Sequence, residues 1–339
     1  MNNLIMTQKE IANILNISRA TVSLALADSP KIKPETRKRV REIAKKSNYQ
    51  PNMAARSLVM QRTNSVGVLL PSFAHRFLGE LSDEIFRSLN QNGFTAIFGI
   101  GSEIEDQSKL IDSMVSRNVD GIISYFTDYH KLIKLNENGV PLVVYRKPQN
   151  YPLSYVDVDR FKGGRLVTEH LIEIGCRKIA FVGGVVSDGK WQDKRFAGFQ
   201  SAMTENDIDI DESLIINLMG EMREGIVGVG ELLKRTNGVL PDAIIFHNDS
   251  MAIGALGEID RLGFKVPEDV AVVGFDNIEE SKYSSPSLTT INQPKELMAQ
   301  KLVSMLIEQI NNKDTGFIAK NHIFEPELII RKSTSKQIK

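Results

Sequence analysis

A chain of 339 residues that is 42% apolar and 25% charged has the composition of an ordinary globular protein, with room for about two or three domains. No apolar run approaches the roughly 20 residues needed to span a bilayer, and the start, MNNLIMTQKE, lacks the basic stretch and apolar core of a secretory signal, so a cytoplasmic protein is expected. A single Cys176 excludes an intrachain disulfide framework, and His75, His130, His170, His247 and His322 are too scattered for a metal signature, so neither metal nor cofactor is expected.

The formal net charge of zero hides an uneven distribution. Residues 1–63 hold twelve Lys/Arg against four Asp/Glu, a net of +8, which leaves −8 on the remainder. A basic head on an acidic body fits nucleic-acid binding, because Lys and Arg gain affinity by releasing counterions from the phosphate backbone.

In chain order, Thr7-Gln8-Lys9-Glu10 is a capping box and predicts that a helix begins there. Ile11, Ile14 and Leu15 recur at helical spacing, and Ala12 is small enough for a second helix to cross closely. Asn16 tolerates the left-handed backbone of a tight turn. Ser18 then caps a second helix, 19–26, whose Val22, Ala25 and Leu26 face inward and leave Arg19, Ala20, Thr21, Ser23 and Leu24 outside. In a helix-turn-helix this outer face enters the major groove. There Arg19 can bind guanine bidentately, Ala20 and Leu24 offer apolar contact such as with a thymine methyl, and the hydroxyls suit phosphates. A plain helical hairpin fits the same pattern. A third helix, 34–47, opens on Pro34 and carries a basic outer row.

Next comes Tyr49-Gln50-Pro51-Asn52-Met53-Ala54-Ala55-Arg56-Ser57-Leu58. Pro51 ends the preceding helix, and the stretch from Asn52 to Leu58 is helix-permissive but too short to stand alone. Leu58 fits a wedge inserted between base steps from the minor groove, with an interdomain linker as the plain alternative.

The segments ISRATVSLAL, PETRKRV and YQPNMAARSL resemble the LacI/GalR family of bacterial transcriptional regulators, and the resemblance continues to about Leu328. It implies a helix-turn-helix domain at 1–50, a hinge helix and linker at 51–63, and a two-lobed effector-binding and dimerisation domain at 64–339. The DNA contacts it implies are Thr7, Ser18, Arg19, Ala20, Thr21, Ser23, Leu24, Tyr49, Asn52, Ala55, Arg56 and Leu58. Two positions depart from the family pattern: Leu24, where many members carry Arg or His, and Val59, where some use Lys.

From Ser65 onward, apolar runs at 66–70, 96–100, 121–125, 142–145, 179–182, 214–218, 243–246 and 270–275 alternate with amphipathic helical stretches. Continuous apolar runs suit strands buried on both faces, so an α/β body with parallel sheets in two lobes is expected. Ligands in such sheets sit beyond the strands' carboxyl ends, which selects residues 73–77, Arg146, Asn248, Asp249 and Asp276. The family's body resembles periplasmic sugar-binding proteins, with lobe 1 at about 64–159 and 293–320 and lobe 2 at about 160–292 and 321–339. By motif, the resemblance assigns Phe77 (PSFAHRFLGEL), Arg195 (KRFAGF), Asn248 (HNDSMA) and Asp276 (VGFDN) to the effector cleft. It reads Asp249 as a cap for a helix beginning at Ser250.

Arg146 stands where many members have Asp, and His75-Arg76 where others have Asn-Pro. With Arg195 these could give four basic groups in one cleft, matched to an acidic sugar or other anionic metabolite, unless Arg146 pairs with Asp276 or points outward. Trp191 either stacks on a sugar ring or packs inside a lobe. The expected protein is a homodimeric repressor on a pseudo-palindromic double-stranded operator, controlled by a small-molecule effector, carbohydrate or anion. An enzyme is disfavoured: the GIVGVG at 225–230 falls in a helical stretch out of order for a nucleotide loop, and no nucleophile elbow or P-loop is present.

Overall fold

The computed structural model describes residues 6–26, 28–47, 49, 62–148, 151–184, 186–187, 190–191, 193–312 and 318–335, with backbone alone at 186–187 and 190–191. Asn52, Ala55, Arg56 and Leu58 lie outside the described residues, as does the side chain of Trp191. The chain packs as two units, 1–63 and 64–339.

The first unit holds three helices, α1 (Gln8–Leu15), α2 (Arg19–Leu26) and α3 (Pro34–Lys46). The capping box starts α1 as its sequence requires: Glu10 N–H donates to Thr7 Oγ1 at 3.3 Å, and Thr7 N–H donates to Glu10 Oε2 at 2.6 Å. Such a cap is worth about 1 kcal/mol. Asn16 ends α1 at φ 52° and frees the chain to turn. Ile11, Ala12, Val22, Ala25, Val40 and Ala44 form the core, with Tyr49 packed against it.

The second unit is built on two parallel sheets. In lobe 1, β1 (Ser65–Leu70), β2 (Thr95–Ile100), β3 (Gly121–Ser124), β4 (Leu142–Tyr145), β5 (Ser154–Val158) and β13 (Asn321–Phe324) run in the order β13-β5-β4-β3-β1-β2. Helices α4 (Arg76–Gln91) and α11 (Lys295–Asn311) cover one face, and α5 (Ile104–Ser116) and α6 (Tyr129–Glu137) the other. In lobe 2 the order is β11-β10-β6-β9, from β6 (Ile179–Val182), β9 (Ile215–Ile216), β10 (Ala243–Phe246) and β11 (Ala271–Val273). Its faces carry α7 (Arg160–Glu173) with α8 (Lys194–Glu205), and α9 (Met222–Arg235) with α10 (Asp249–Arg261). Because helices lie on both faces, strands such as β1 are buried at every residue, which is why they read as unbroken apolar runs.

Short elements complete the body: β7 (Val186–Ser187) pairs with β8 (Lys190–Trp191), and β12 (Thr290–Asn292) pairs antiparallel with β14 (Glu327–Ile329). The structure departs from expectation in three places. The run 214–218 yields only the two-residue edge strand β9, because Leu214 closes a 3-10 turn. The polar-interrupted β5, SYVDV, is a full strand without an apolar run to announce it. Residues 321–324 pair with β5, so the lobe 1 portion of the carboxyl-terminal stretch extends to Phe324 rather than ending near residue 320.

Helix crossings in lobe 2 depend on glycine. A Cβ at Gly198 of α8 would stand 2.1 Å from Phe161 O, and one at Gly164 of α7 2.1 Å from Arg195 O. Gly225 of the GIVGVG stretch lies inside α9, where a Cβ would meet Met251 O at 1.8 Å. Close helix packing accounts for that glycine without a nucleotide.

Candidate functional site

The head carries on α2 the residues that the sequence reading expects to face DNA. Ser18 Oγ accepts from Thr21 N–H at 3.0 Å and lies 2.8 Å from Thr21 Oγ1, which fixes the helix start. Val22 and Ala25 are buried, while Arg19, Ala20, Ser23 and Leu24 are exposed and Thr21 is half-buried. Leu24 is 39% exposed, a large apolar side chain offered to solvent. On α3, Arg37 and Arg41 pair with Asp28 at 2.9 and 2.6 Å, whereas Lys38, Arg39, Lys45 and Lys46 are exposed. Thr7 is exposed at the start of α1, and Tyr49 is half-buried against the core.

In the body, the polar side chains converge at the carboxyl ends of the strands. Arg146 directly follows β4 at φ 77°, its N–H donating to Val156 O at 2.9 Å. Its side chain lies deep between the lobes yet is exposed to solvent, as expected of a group projecting into an open cleft. Burial acts to lower its pKa, but Tyr145, Asp157, Asp193 and Asp276 together raise it. Asp276, three residues beyond the β11 end, takes φ 121° and is buried. Its Oδ1 accepts from Gln293 Nε2 at 2.5 Å, and Gln293 Oε1 accepts from Tyr145 Oη at 3.1 Å, so a residue of each lobe is tied to the crossing segment. Burial pushes the Asp276 carboxyl up to about 6, against the opposing pull of Arg195.

Arg195 and its neighbours form one linked group. Asp193 caps α8 by accepting from Arg195 N–H at 2.8 Å, and its Oδ2 lies 2.7 Å from His247 Nδ1. Arg195 Nη1 stands 2.7 Å from His247 Nε2, and its guanidinium lies 4.2 Å from the centre of the Phe275 ring. Burial and then Arg195 push the imidazole down to about 4. His247 is therefore neutral at pH 7 and can donate from Nδ1 to Asp193 while Nε2 accepts from Arg195. Burial would raise the Asp193 carboxyl, but Arg195 and His247 hold it far below the usual range. Gly183 permits this group, since a Cβ there would strike His247 Cβ at 2.4 Å.

Other sequence candidates are placed differently. Phe77 lies buried in the first turn of α4, 5.9 Å from the Tyr145 ring. Asn248, not Asp249, is the cap of α10: its Oδ1 accepts from Met251 N–H at 2.8 Å and its Nδ2 donates to Gly220 O at 2.9 Å. Asp249 is the first helical residue and a fully buried strut, accepting from Ile278 N–H at 2.9 Å and Thr290 Oγ1 at 2.5 Å. The expected cluster of four cations is largely neutralised. His75 faces Glu221 at 3.9 Å, Arg76 pairs with Glu280, and Arg195 lies 3.6 Å from Asp193. Among the described residues, Arg146 has no carboxylate within ion-pair distance, Asp276 included.

Sequence reasoning missed Tyr125, Asp157, Arg160, Asp193, His247 and Gln293. Asp193 and His247 adjoin the KRFAGF and HNDSMA motifs, but what they do depends on contacts between distant segments. Asp157 accepts from Lys147 N–H at 3.0 Å and from Arg160 Nη2 at 3.1 Å. Among the described residues, the buried side-chain polar atoms left without a hydrogen-bond partner are His75 Nδ1, Tyr125 Oη, Arg160 Nε, Asp193 Oδ2 and Arg195 Nε. All five belong to residues at this cleft. Asp193 Oδ2, 2.7 Å from an imidazole nitrogen, least needs an outside partner.

Comparisons with known proteins agree with this architecture. Residues 7–52 match the family model "Bacterial regulatory proteins, lacI family", and residues 168–334 match "Periplasmic binding protein-like domain". The chain is 32% identical over 337 residues to the HTH-type transcriptional regulator CelR of Thermobifida fusca, covering 96% of this chain and 98% of that one. It is 30% identical over 332 residues to the HTH-type transcriptional repressor PurR of Haemophilus influenzae (strain PittEE), with 96% and 98% coverage. Among solved structures, the lac repressor dimer bound to operator and the anti-inducer ONPF is similar at TM-score 0.85 and 25% identity, covering 98% of this chain and 99% of that one. A CelR–cellobiose complex is similar at TM-score 0.71 and 29% identity, covering 97% and 99%. The chain belongs to the lacI family of bacterial regulatory proteins. It is a DNA-binding transcriptional regulator with a ligand-binding body, not an enzyme. Among the described residues no helix is long and apolar enough to cross a membrane.

Proposed function

We propose that the protein is a cytoplasmic homodimeric repressor whose grip on a pseudo-palindromic operator is set by a small polar effector, a sugar or sugar derivative, held between the lobes. The observation that carries the effector site is the gathering of unpartnered buried polar atoms at one cleft. A folded protein leaves few such atoms, each costing about 1–3 kcal/mol, and a ligand rich in hydroxyls would satisfy them. Arg195 and Asp276 would hold the ring hydroxyls, with Trp191 available to stack. Phe77 would act through Tyr145, and Asn248 through the start of α10. The similarity to a cellobiose-bound regulator and to an operator-bound dimer supports both halves of this assignment.

On the DNA side, Arg19, Ala20 and Leu24 would read base edges, while Thr7, Ser18, Thr21, Ser23 and Tyr49 would position the head on phosphates. Asn52, Ala55, Arg56 and Leu58 would form the hinge contact in the minor groove. Footprinting on DNA upstream of the protein's own gene, with and without a panel of sugars, tests the proposal. A protected palindrome whose occupancy shifts with one sugar is expected; protection indifferent to every small molecule would count against it.

A further inference from the structure

The unsatisfied atoms of the cleft lean toward donors. Arg160 Nε and Arg195 Nε can only donate and the Tyr125 hydroxyl is free to donate, whereas the one obligate acceptor, Asp193 Oδ2, already faces His247 Nδ1 at 2.7 Å, and the role of His75 Nδ1 follows its tautomer. Beside them the Arg146 guanidinium projects into the cleft with no carboxylate within ion-pair distance among the described residues. The acids nearby are already engaged. Asp157 takes Arg160 at 3.1 Å, Asp193 is shared between Arg195 and His247, and Asp276 accepts from Gln293. Lys295, the remaining cation at Asp276, is matched by Glu80 at 3.0 Å.

Arg146 and Arg160 are held on one frame. Arg146 N–H donates to Val156 O, and the next residue, Asp157, accepts from both Lys147 N–H and Arg160 Nη2. Two guanidiniums are thereby gathered at the ends of adjacent strands with one carboxylate between them. Like charges so placed repel, and the proximity of Arg146 adds to burial in lowering the Arg160 pKa. A bound anion would relieve that repulsion and accept the idle N–H groups.

Resting on the effector-site reading above, we propose that the effector carries an oxyanion, a carboxylate or a phosphate, seated on the Arg146 guanidinium with Arg160 and Tyr125 beside it. The planar fork of arginine matches either group bidentately, and charge-assisted bonds of this kind are about twice as strong as neutral ones. Asp276, across the cleft, remains an acceptor for hydroxyls on the same molecule. Effector choice would then be made by Arg146, with Arg160 Nε as a second donor to the same anion.

The test uses the full chain and simple probes: inorganic phosphate followed by phosphorus NMR, acetate by saturation-transfer proton NMR, and glycerol as the neutral control. Saturable binding of at least one anion and none of glycerol is expected, and the preferred anion separates phosphate from carboxylate. Arg146→Gln should weaken that binding by about tenfold or more, while Arg146→Lys, which keeps the charge, should restore part of it. An unchanged melting temperature for Arg146→Gln would show that the loss is local. Absence of saturable binding overturns the proposal. So does binding untouched by Arg146→Gln, the outcome expected if phosphate sits on the basic head. An anion that binds through Arg146 but leaves operator affinity unchanged would fault the regulatory reading and not the anion site.

Discussion

Arg146 and Asp276 share a backbone peculiarity. Among the described non-glycine residues at positive φ, all but Arg146 are Asn or Asp, the residues that tolerate the left-handed region best. An arginine at φ 77° and an aspartate at φ 121° are held there by the strand ends around them, one from each lobe, both facing the cleft. Such strain persists where the surroundings fix it, and it aims a side chain that an extended strand end would point elsewhere. Asp276 also carries a pH signature. Its pKa, near 3.8 when unfolded and about 6 in place, means that between those values the folded protein keeps a proton the unfolded chain has lost. This group's contribution to stability is therefore greatest below pH 4 and declines as pH rises through about 6. Asp276→Asn removes the effect, so urea unfolding at a series of pH values should show the stability of the variant relative to wild type increasing from about pH 4 to about pH 7. The depressed His247 pKa acts in the opposite direction but is common to both proteins. A difference that does not change with pH would mean that Asp276 ionises normally in the folded state.

At the scale of elements, local rules carried well and long-range ones did not. The Thr7–Glu10 box, the left-handed Asn16 and the Ser18 cap are legible because each is settled within four residues of chain. Strands β1, β3, β4, β6 and β10 are legible because burial on both faces demands unbroken apolar runs. The β5 strand escaped because Ser154 and Asp157 interrupt its pattern: Asp157 is buried, but on hydrogen bonds to Lys147, Val158 and Arg160 that no periodicity announces. The exchange of roles between Asn248 and Asp249 has the same origin, since the partners of Asp249 lie at Ile278 and Thr290. The α7–α8 crossing yields a direct test. Gly198→Ala places a methyl against Phe161 O, a backbone atom that cannot swing away, so α8 must shift together with Asp193 and Arg195. A loss of about 1–3 kcal/mol in urea unfolding, accompanied by weaker effector binding, is expected. Unchanged stability would show that the crossing has slack.

For the molecule as a whole, the family membership makes the chain a regulator, and the division of charge between a basic head and an acidic body separates DNA binding from ligand binding. The body carries ties from each lobe to the other and to the segments between them. Glu80 of α4 accepts from Glu279 N–H at 2.8 Å, and Tyr145 reaches Gln293, which reaches Asp276. A ligand that prefers one arrangement of these ties shifts the lobes, and only such a preference can couple the cleft to DNA. Coupling of this kind is reciprocal: whatever factor the effector imposes on operator affinity, the operator must impose on effector affinity. The most direct measurement is therefore effector affinity by calorimetry with the protein free and saturated with its operator, paired with operator affinity by anisotropy with and without effector. The two ratios should agree and differ from one by about fivefold or more. Equal effector affinity for free and operator-bound protein would contradict control of the operator through the cleft.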